Sequence, residues 1–197
     1  MTKLEVIDYY ESGAHEQEIS CILEQARDIV NSVDILEKTT LILDIDETSL
    51  NHYKALKEYG FPQGDNHKVW NECIFADTGT PIQATLDFYK FCLDKGLKVF
   101  FVSARVADSI DVTKLALKDA GYTQFEDVFV FPKEIANYNP DQFTNFKSER
   151  RAYIESLGFK ILISVGDQPS DLIGGFTKYT CELTNYLYGN KSVFVDR

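Results

Sequence analysis

A doubly wound α/β architecture, with a parallel sheet carrying helices on both faces, is the fold class this sequence predicts. Three observations carry that expectation. Short apolar runs recur at 39–45, 97–102, 127–131, 160–165 and 179–183. Helix-length segments separate several of them and close on glycine, at Gly96, Gly121 and Gly158. Strands alternating with helices in this way build βα units and a parallel sheet. Finally, three of the runs end in polar residues able to do chemistry, at the strand ends where open α/β sheets bind ligands.

The elements follow in order. Residues 16–33 place Ile19, Ile22, Leu23, Ala26, Ile29, Val30 and Val33 on one stripe, which predicts an amphipathic helix packed on the body. The run 39–45 reads as a buried parallel strand, being continuously apolar before it meets acids. Residues 49–81 contain Gly60, Pro62, Gly64, Gly79 and Pro81 among aromatics, and predict short helices and loops inserted after the first strand. Helices are expected at about 82–95, 106–120 and 146–157, with a loop through Asn137-Tyr138-Asn139-Pro140. The 197 residues fit one domain, comprising an N-terminal helical extension (1–38), the insertion (49–81) and the sheet.

A formal net charge of −11 excludes polymeric nucleic acid as an expected partner, because phosphates would be repelled. A small anionic substrate stays open, since a metal and a few local cations can reverse the potential inside one pocket. No apolar run approaches a membrane span and the first residues lack a signal-type apolar region, so the expectation is a cytoplasmic chain unless an export signal was trimmed. Cys21, Cys73, Cys92 and Cys181 form no CxxC pair; Cys21, Cys92 and Cys181 read as buried thiols. Oligomeric state is not legible.

The chemistry collects at three strand ends: Asp44-Ile45-Asp46-Glu47-Thr48, Ser103-Ala104-Arg105 and Gly166-Asp167-Gln168-Pro169-Ser170-Asp171. If strand geometry continued, Asp44 and Asp46 would point to one side. Acids crowded in one pocket repel unless a cation sits among them or a proton is taken up. Oxygen ligands favour a hard cation, and Asp44, Asp46 and Asp167 suit Mg²⁺. A single Asp at such a junction more often caps the next helix. Two acid pairs, each after a buried strand, favour the metal reading.

These segments resemble the haloacid dehalogenase (HAD) superfamily. Asp44-Ile45-Asp46-Glu47-Thr48 resembles its motif I, Phe100-Phe101-Val102-Ser103 motif II, Lys147 the motif III lysine, and Gly166-Asp167-Gln168-Pro169-Ser170-Asp171 motif IV. Lys147-Ser148-Glu149-Arg150-Arg151 followed by Gly166-Asp167-Gln168 narrows the likeness to the subfamily IIIB acid phosphatases, a group with plant acid phosphatases, vegetative storage proteins and bacterial nonspecific acid phosphatases. The likeness spans nearly the whole chain, including Tyr9-Tyr10-Glu11-Ser12-Gly13 and Trp70.

The resemblance implies a three-layer αβα HAD-like (Rossmannoid) fold and a Mg²⁺-dependent phosphomonoesterase acting on a small phosphorylated substrate. It implies Asp44 as nucleophile and Asp46 as general acid and base. Ser103 and Lys147 would bind phosphate, and one Mg²⁺ would be held by Asp44, the Asp46 backbone carbonyl and Asp167, with Asp171 supporting indirectly. Ser103 can alternatively cap a helix, and Lys133 rivals Lys147. Arg105 contacts either phosphate or a surface acid. Thr48 would support the motif I turn and His52 could line the pocket, while His15 and His67 read as surface residues. Trp70, Tyr53, Phe61 and Phe75 read first as residues holding the insertion to the body, and second as a stacking surface for a nucleoside or aryl group.

The chain departs from the family in two places. Leu183-Thr184-Asn185-Tyr186-Leu187-Tyr188 stands where many relatives have Pro-Asn-Pro, and Pro169 replaces a bulky aromatic. A non-catalytic storage or binding role, or a phosphotransferase using the same intermediate, are the alternative functions. A phospho-accepting receiver domain is disfavoured because the third strand ends in Phe131-Pro132-Lys133, with no Asp.

Overall fold

The computed structural model describes residues 1–62, 67–132 and 140–188. Helices α1 (Lys3–Glu11) and α2 (Ala14–Asn31) lead into β1 (Thr39–Leu43). An excursion follows: β2 (Leu50–Asn51), α3 (Tyr53–Glu58), α4 (His67–Phe75) and β3 (Thr80–Pro81). The remaining elements are α5 (Gln83–Asp94), β4 (Lys98–Val106), α6 (Ile110–Asp119), β5 (Asp127–Phe131), α7 (Pro140–Ser156), β6 (Lys160–Gly166), α8 (Pro169–Leu172) and β7 (Tyr179–Glu182).

The main sheet runs β5-β4-β1-β6-β7 with every neighbour parallel. The chain winds outward from β1 through β4 to β5, then returns to the other side of β1 for β6 and β7. The strand order therefore reverses at β1, and the crevice at its carboxyl end is where such sheets hold ligands.

Alternation along the strands decides the two faces. Leu41, Leu43, Val99, Phe101, Ile163 and Val165 join a core with residues of α2, α5 and α6. Ile42, Phe100, Val102 and Ile161 join Phe143, Phe146 and Ile154 of α7 on the other face. The result is the expected α/β sandwich. On α2, His15, Ile19, Leu23, Ala26 and Val30 are buried, a spacing that keeps one stripe on the core. Each large aliphatic there gains roughly 1.5–3 kcal/mol from burial.

Several boundaries differ from the sequence expectation. α1 is a helix the hydrophobic spacing does not announce, because Val6 is its one buried residue. It starts on a capping box, with Glu5 N donating to Thr2 Oγ1 and Thr2 N to Glu5 Oε2. Gly13, at φ 84°, turns the chain into α2. Cys21 is exposed, not buried, since it lies two residues, about 200° of helix, from Ile19. His15 is buried, not on the surface, because it sits one turn before Ile19 on the core stripe. β4 runs on through Arg105 to Val106, and α7 begins six residues earlier than its sequence pattern suggests. The loop 137–139 and Lys133 lie outside the described residues.

The excursion closes on itself at its neck. Leu50 pairs with Pro81 and Asn51 with Thr80, antiparallel. A small cluster of Val6, Tyr53, Leu56, Phe61 and Leu187 ties the excursion to α1 and to the C-terminal segment. Among the described residues no helix is long and apolar enough to cross a membrane.

Candidate active site

The carboxyl ends of β4, β1 and β6 stand side by side, so three sequence-distant segments meet. Asp44 follows β1 directly, and its N–H donates to Val165 O at 3.0 Å, prolonging the ladder by one residue. Ser49 Oγ donates to Asp44 O at 2.7 Å, and Glu47 takes the left-handed φ of 57°, which folds motif I into a tight turn. Asp167 follows β6. Gly166 has no Cβ because one would collide with the Asp171 side chain.

Asp44, Asp167 and Asp171 are all buried, and each presents a carboxylate oxygen within 4.8 Å of the others. One cation lies among them: Lys147 Nζ donates to Asp44 Oδ1 at 2.6 Å and also to Asp171 Oδ1. Burial foremost, then Asp171, holds the Asp44 carboxyl well above the usual carboxylate range. The same two causes push Asp167 up to about 7. For Lys147, burial opposes its charge, but Asp171 and Asp44 outweigh it and raise the ammonium above its ordinary value. Three acids against one ammonium leave the cluster short of positive charge. Its donors are all oxygen, and a hard divalent cation supplies that charge with the right ligand type. The residues present therefore fit a metal ion.

Asp167 is held from three sides. Thr48 Oγ1 donates to Oδ1 at 3.1 Å; Gln168 Nε2 and Asn185 Nδ2 donate to Oδ2 at 2.6 and 2.7 Å. Thr48 thus links motif I to the acid of motif IV. Gln168 stands within the motif IV segment and Asn185 within 183–188, but the sequence alone assigns neither a role. Asn185 lies in the segment that lost its prolines, beside Thr184, and no spacing sets it apart in the sequence.

Asp46 does not join the three-acid group. β1 ends at Leu43, so period-2 alternation stops before the acids are reached. Its carboxylate instead takes Arg105 Nε at 3.0 Å on Oδ2 and Nη2 at 2.8 Å on Oδ1. Burial alone would raise Asp46, but Arg105, then His52 and Lys147, hold it below the ordinary carboxylate value. Arg105 is thereby partnered with a half-buried acid of the site, neither a surface acid nor a group waiting in solvent. Its Nη1 also donates to Thr113 Oγ1 at 3.1 Å. Ser103 is buried inside β4 and caps no helix; its Oγ accepts the Arg105 N–H at 3.1 Å.

His52 is buried beside these groups, with Nδ1 3.4 Å from Glu47 Oε1 and 3.6 Å from Asp46 Oδ1. Its ring meets the edge of Trp70, which in turn meets Tyr188. The Tyr188 hydroxyl donates to the Asp46 carbonyl at 3.2 Å, a contact between residues 142 positions apart that the sequence does not announce. Tyr53 and Phe61 are buried in the cluster that anchors the excursion, whereas Phe75 is half exposed. The side chain of His67 lies outside the described residues.

The arrangement offers a buried carboxylate with a lysine on it, two further buried acids beside it and another carboxylate in the adjoining turn. That is the equipment of group transfer from an anionic centre. Comparison with known proteins agrees in kind. Residues 2–191 match the family described as HAD superfamily, subfamily IIIB (Acid phosphatase). The chain is 28% identical over 188 residues to Acid phosphatase 1 of Solanum lycopersicum, spanning 93% of this chain and 72% of that one. It is 26% identical over 184 residues to the Stem 28 kDa glycoprotein of Glycine max, spanning 92% of this chain and 72% of that one. Among solved structures, the Class C acid phosphatase from Bacillus anthracis shares the fold, with a TM-score of 0.72 and 19% identity over 94% of this chain and 84% of that one.

Proposed function

The chain belongs to the HAD superfamily, subfamily IIIB (acid phosphatase), and from that premise we propose that it hydrolyses small phosphate monoesters with Mg²⁺, through an aspartyl-phosphate on Asp44. The observation that carries the reading is the buried meeting of Asp44, Asp167, Asp171 and Lys147 at the reversal of strand order.

In this reading the Asp44 carboxylate attacks phosphorus while the bond from phosphorus to the leaving oxygen breaks. Asp46, which takes up a proton from solvent against the pull of Arg105, gives it to that oxygen. Water then attacks the same phosphorus, Asp46 takes its proton, and the bond to Asp44 breaks to release inorganic phosphate. Lys147 neutralises the transferring group, and Ser103 hydrogen-bonds one of its oxygens. Arg105 contributes by holding Asp46 in place. Asp44, the Asp46 carbonyl and Asp167 would hold one Mg²⁺ with Asp171 in support, and the ion supplies further neutralisation of the phosphoryl oxygens.

The test is hydrolysis of p-nitrophenyl phosphate with and without Mg²⁺, beside Asp44→Asn. The expected result is Mg²⁺-dependent turnover by the wild type and none above background by the variant. A wild type that is inert, or a rate indifferent to chelator and to Asp44→Asn, overturns the reading.

A further inference from the structure

Arg151 is wholly buried and, among the described residues, has no carboxylate at ion-pair distance. An isolated guanidinium in that position costs several kcal/mol unless every donor is met. Here each of its three nitrogens is met by a main-chain carbonyl: Nη1 by Asp171 O at 3.0 Å, Nε by Gly175 O at 2.9 Å, and Nη2 by Ile173 O. Burial foremost lowers its pKa, and the nearby Asp171 carboxylate works the other way.

The acceptors come from alternate residues of one short segment. That segment turns through three successive left-handed residues, Gly174 at φ 97°, Gly175 at 79° and Phe176 at 58°. Such backbone is held by its surroundings rather than by preference, above all at Phe176, which carries a Cβ. α7 provides the hold. Ser148 Oγ donates to Gly174 O at 2.6 Å, and Lys147, one turn before Arg151 on the same helix, binds the Asp171 carboxylate. Asp171 is thus fixed at both ends. Its carbonyl takes Arg151 and Ser164 Oγ, and its carboxylate takes Lys147 and the Gln168 N–H.

We propose that Arg151 is a positioning residue of the active site, whose carbonyl clamp on 171–175 sets Asp171 and, through it, Lys147 and the metal-binding acids. The inference rests on the metal reading given above. A lysine cannot substitute, because the clamp needs three diverging donors from one planar group.

The test uses the full chain carrying Arg151→Met, Arg151→Lys or Arg151→Ala, all at a temperature well below each variant's unfolding midpoint. Mn²⁺ binding is followed by electron paramagnetic resonance, and kcat and KM are measured with p-nitrophenyl phosphate. Outer-shell partners of this kind typically alter metal affinity by about 10- to 100-fold. The expected result is a weakening of Mn²⁺ binding in that range for Arg151→Met and Arg151→Lys, with kcat falling more than KM changes. Added guanidinium, at millimolar concentration, should restore both in Arg151→Ala along a saturating curve.

If the variants unfold earlier but bind Mn²⁺ and turn over as the wild type does, Arg151 is structural cement and the inference is lost. If Arg151→Met does not fold, the guanidinium arm decides: no restoration of binding in Arg151→Ala overturns the proposal. Asp167→Asn separates the two levels of inference. Should it bind Mn²⁺ undiminished, the metal reading has failed, independently of Arg151.

Discussion

Lys147 Nζ lies 2.6 Å from Asp44 Oδ1 and donates to it, although the two residues are 103 positions apart. The lysine therefore sits on the proposed nucleophile before any substrate arrives. Its charge works against burial and Asp171, which still hold the Asp44 carboxyl well above the usual carboxylate range. Removing one preorganised donor from a site of this type costs about 10²- to 10³-fold in kcat. Lys147→Met is expected to lose at least that much in steady-state hydrolysis of p-nitrophenyl phosphate. Loss of less than tenfold would remove Lys147 from the phosphoryl-binding role.

Asp46 should show its role through the leaving group. With its carboxylate in the grip of Arg105, a good leaving group such as p-nitrophenolate needs little help, whereas an alkyl alcohol needs a proton. General acid catalysis contributes about 10²- to 10⁴-fold. Asp46→Asn is therefore expected to lose more on an alkyl phosphate than on p-nitrophenyl phosphate, when single-turnover formation of the covalent intermediate is compared. Equal losses on both would argue against proton donation by this residue.

Stability of the metal-free protein should depend on pH through Asp167. Burial and Asp171 raise its folded-state carboxyl from an ordinary 3.8 to about 7. The folded state then holds a proton that the unfolded chain has released, so this group's contribution falls as pH rises from about 4 to 7. Mg²⁺ should displace that proton, and its stabilising effect should grow across the same window. Thermal unfolding of wild type and Asp167→Asn, with and without Mg²⁺, measures this. A Mg²⁺-induced rise in Tm of equal size at pH 5 and pH 7 would contradict it.

His15 works in the opposite sense. Burial lowers its pKa from 6.5 to about 4, so it is neutral in the fold and must charge on acid unfolding. Its contribution is fully present above pH 6.5 and is lost as pH falls toward 4, at most about 3 kcal/mol. Replacement by Phe is expected to flatten the acid limb of the stability curve, read by urea denaturation at a series of pH values. A limb of unchanged slope would show that His15 is not the titrating group.

Gly166→Ala tests the close approach of β6 to motif IV. An added Cβ would occupy the space of the Asp171 side chain. Overpacking of this sort costs typically 1–3 kcal/mol. Both a lower denaturation midpoint and weakened Mg²⁺ activation are expected. A midpoint and an activation curve like those of the wild type would show that Asp171 can move aside freely.

Much of the fold was legible because its cause is local. Apolar runs become buried strands through solvent exclusion alone, and β5 and the start of β6 fall where the apolar pattern puts them. The same holds for the stripe of α2 that packs on the sheet. α1 was not legible, since a helix with one buried residue leaves almost no periodic trace. Cys21 and His15 were misplaced because residue type was weighed above position on the helix. Asp44, Asp167, Asp171 and Lys147 could be named from motif order, and the fold brings all of them together.

What the sequence by itself determined was therefore which segments become strands and which polar residues stand at their ends. Only the tertiary structure decided how those residues partner. The end of β1 turned Asp46 away from the other acids onto Arg105, and Asn185 and Tyr188 reached the site from the C-terminal segment with contacts that no spacing in the sequence foretells. Burial and apolar spacing are summed over neighbours in the chain and so are written along it. Hydrogen bonds and charge pairing depend on distances of a few ångströms between residues far apart in sequence, and those distances exist only once the sheet has closed.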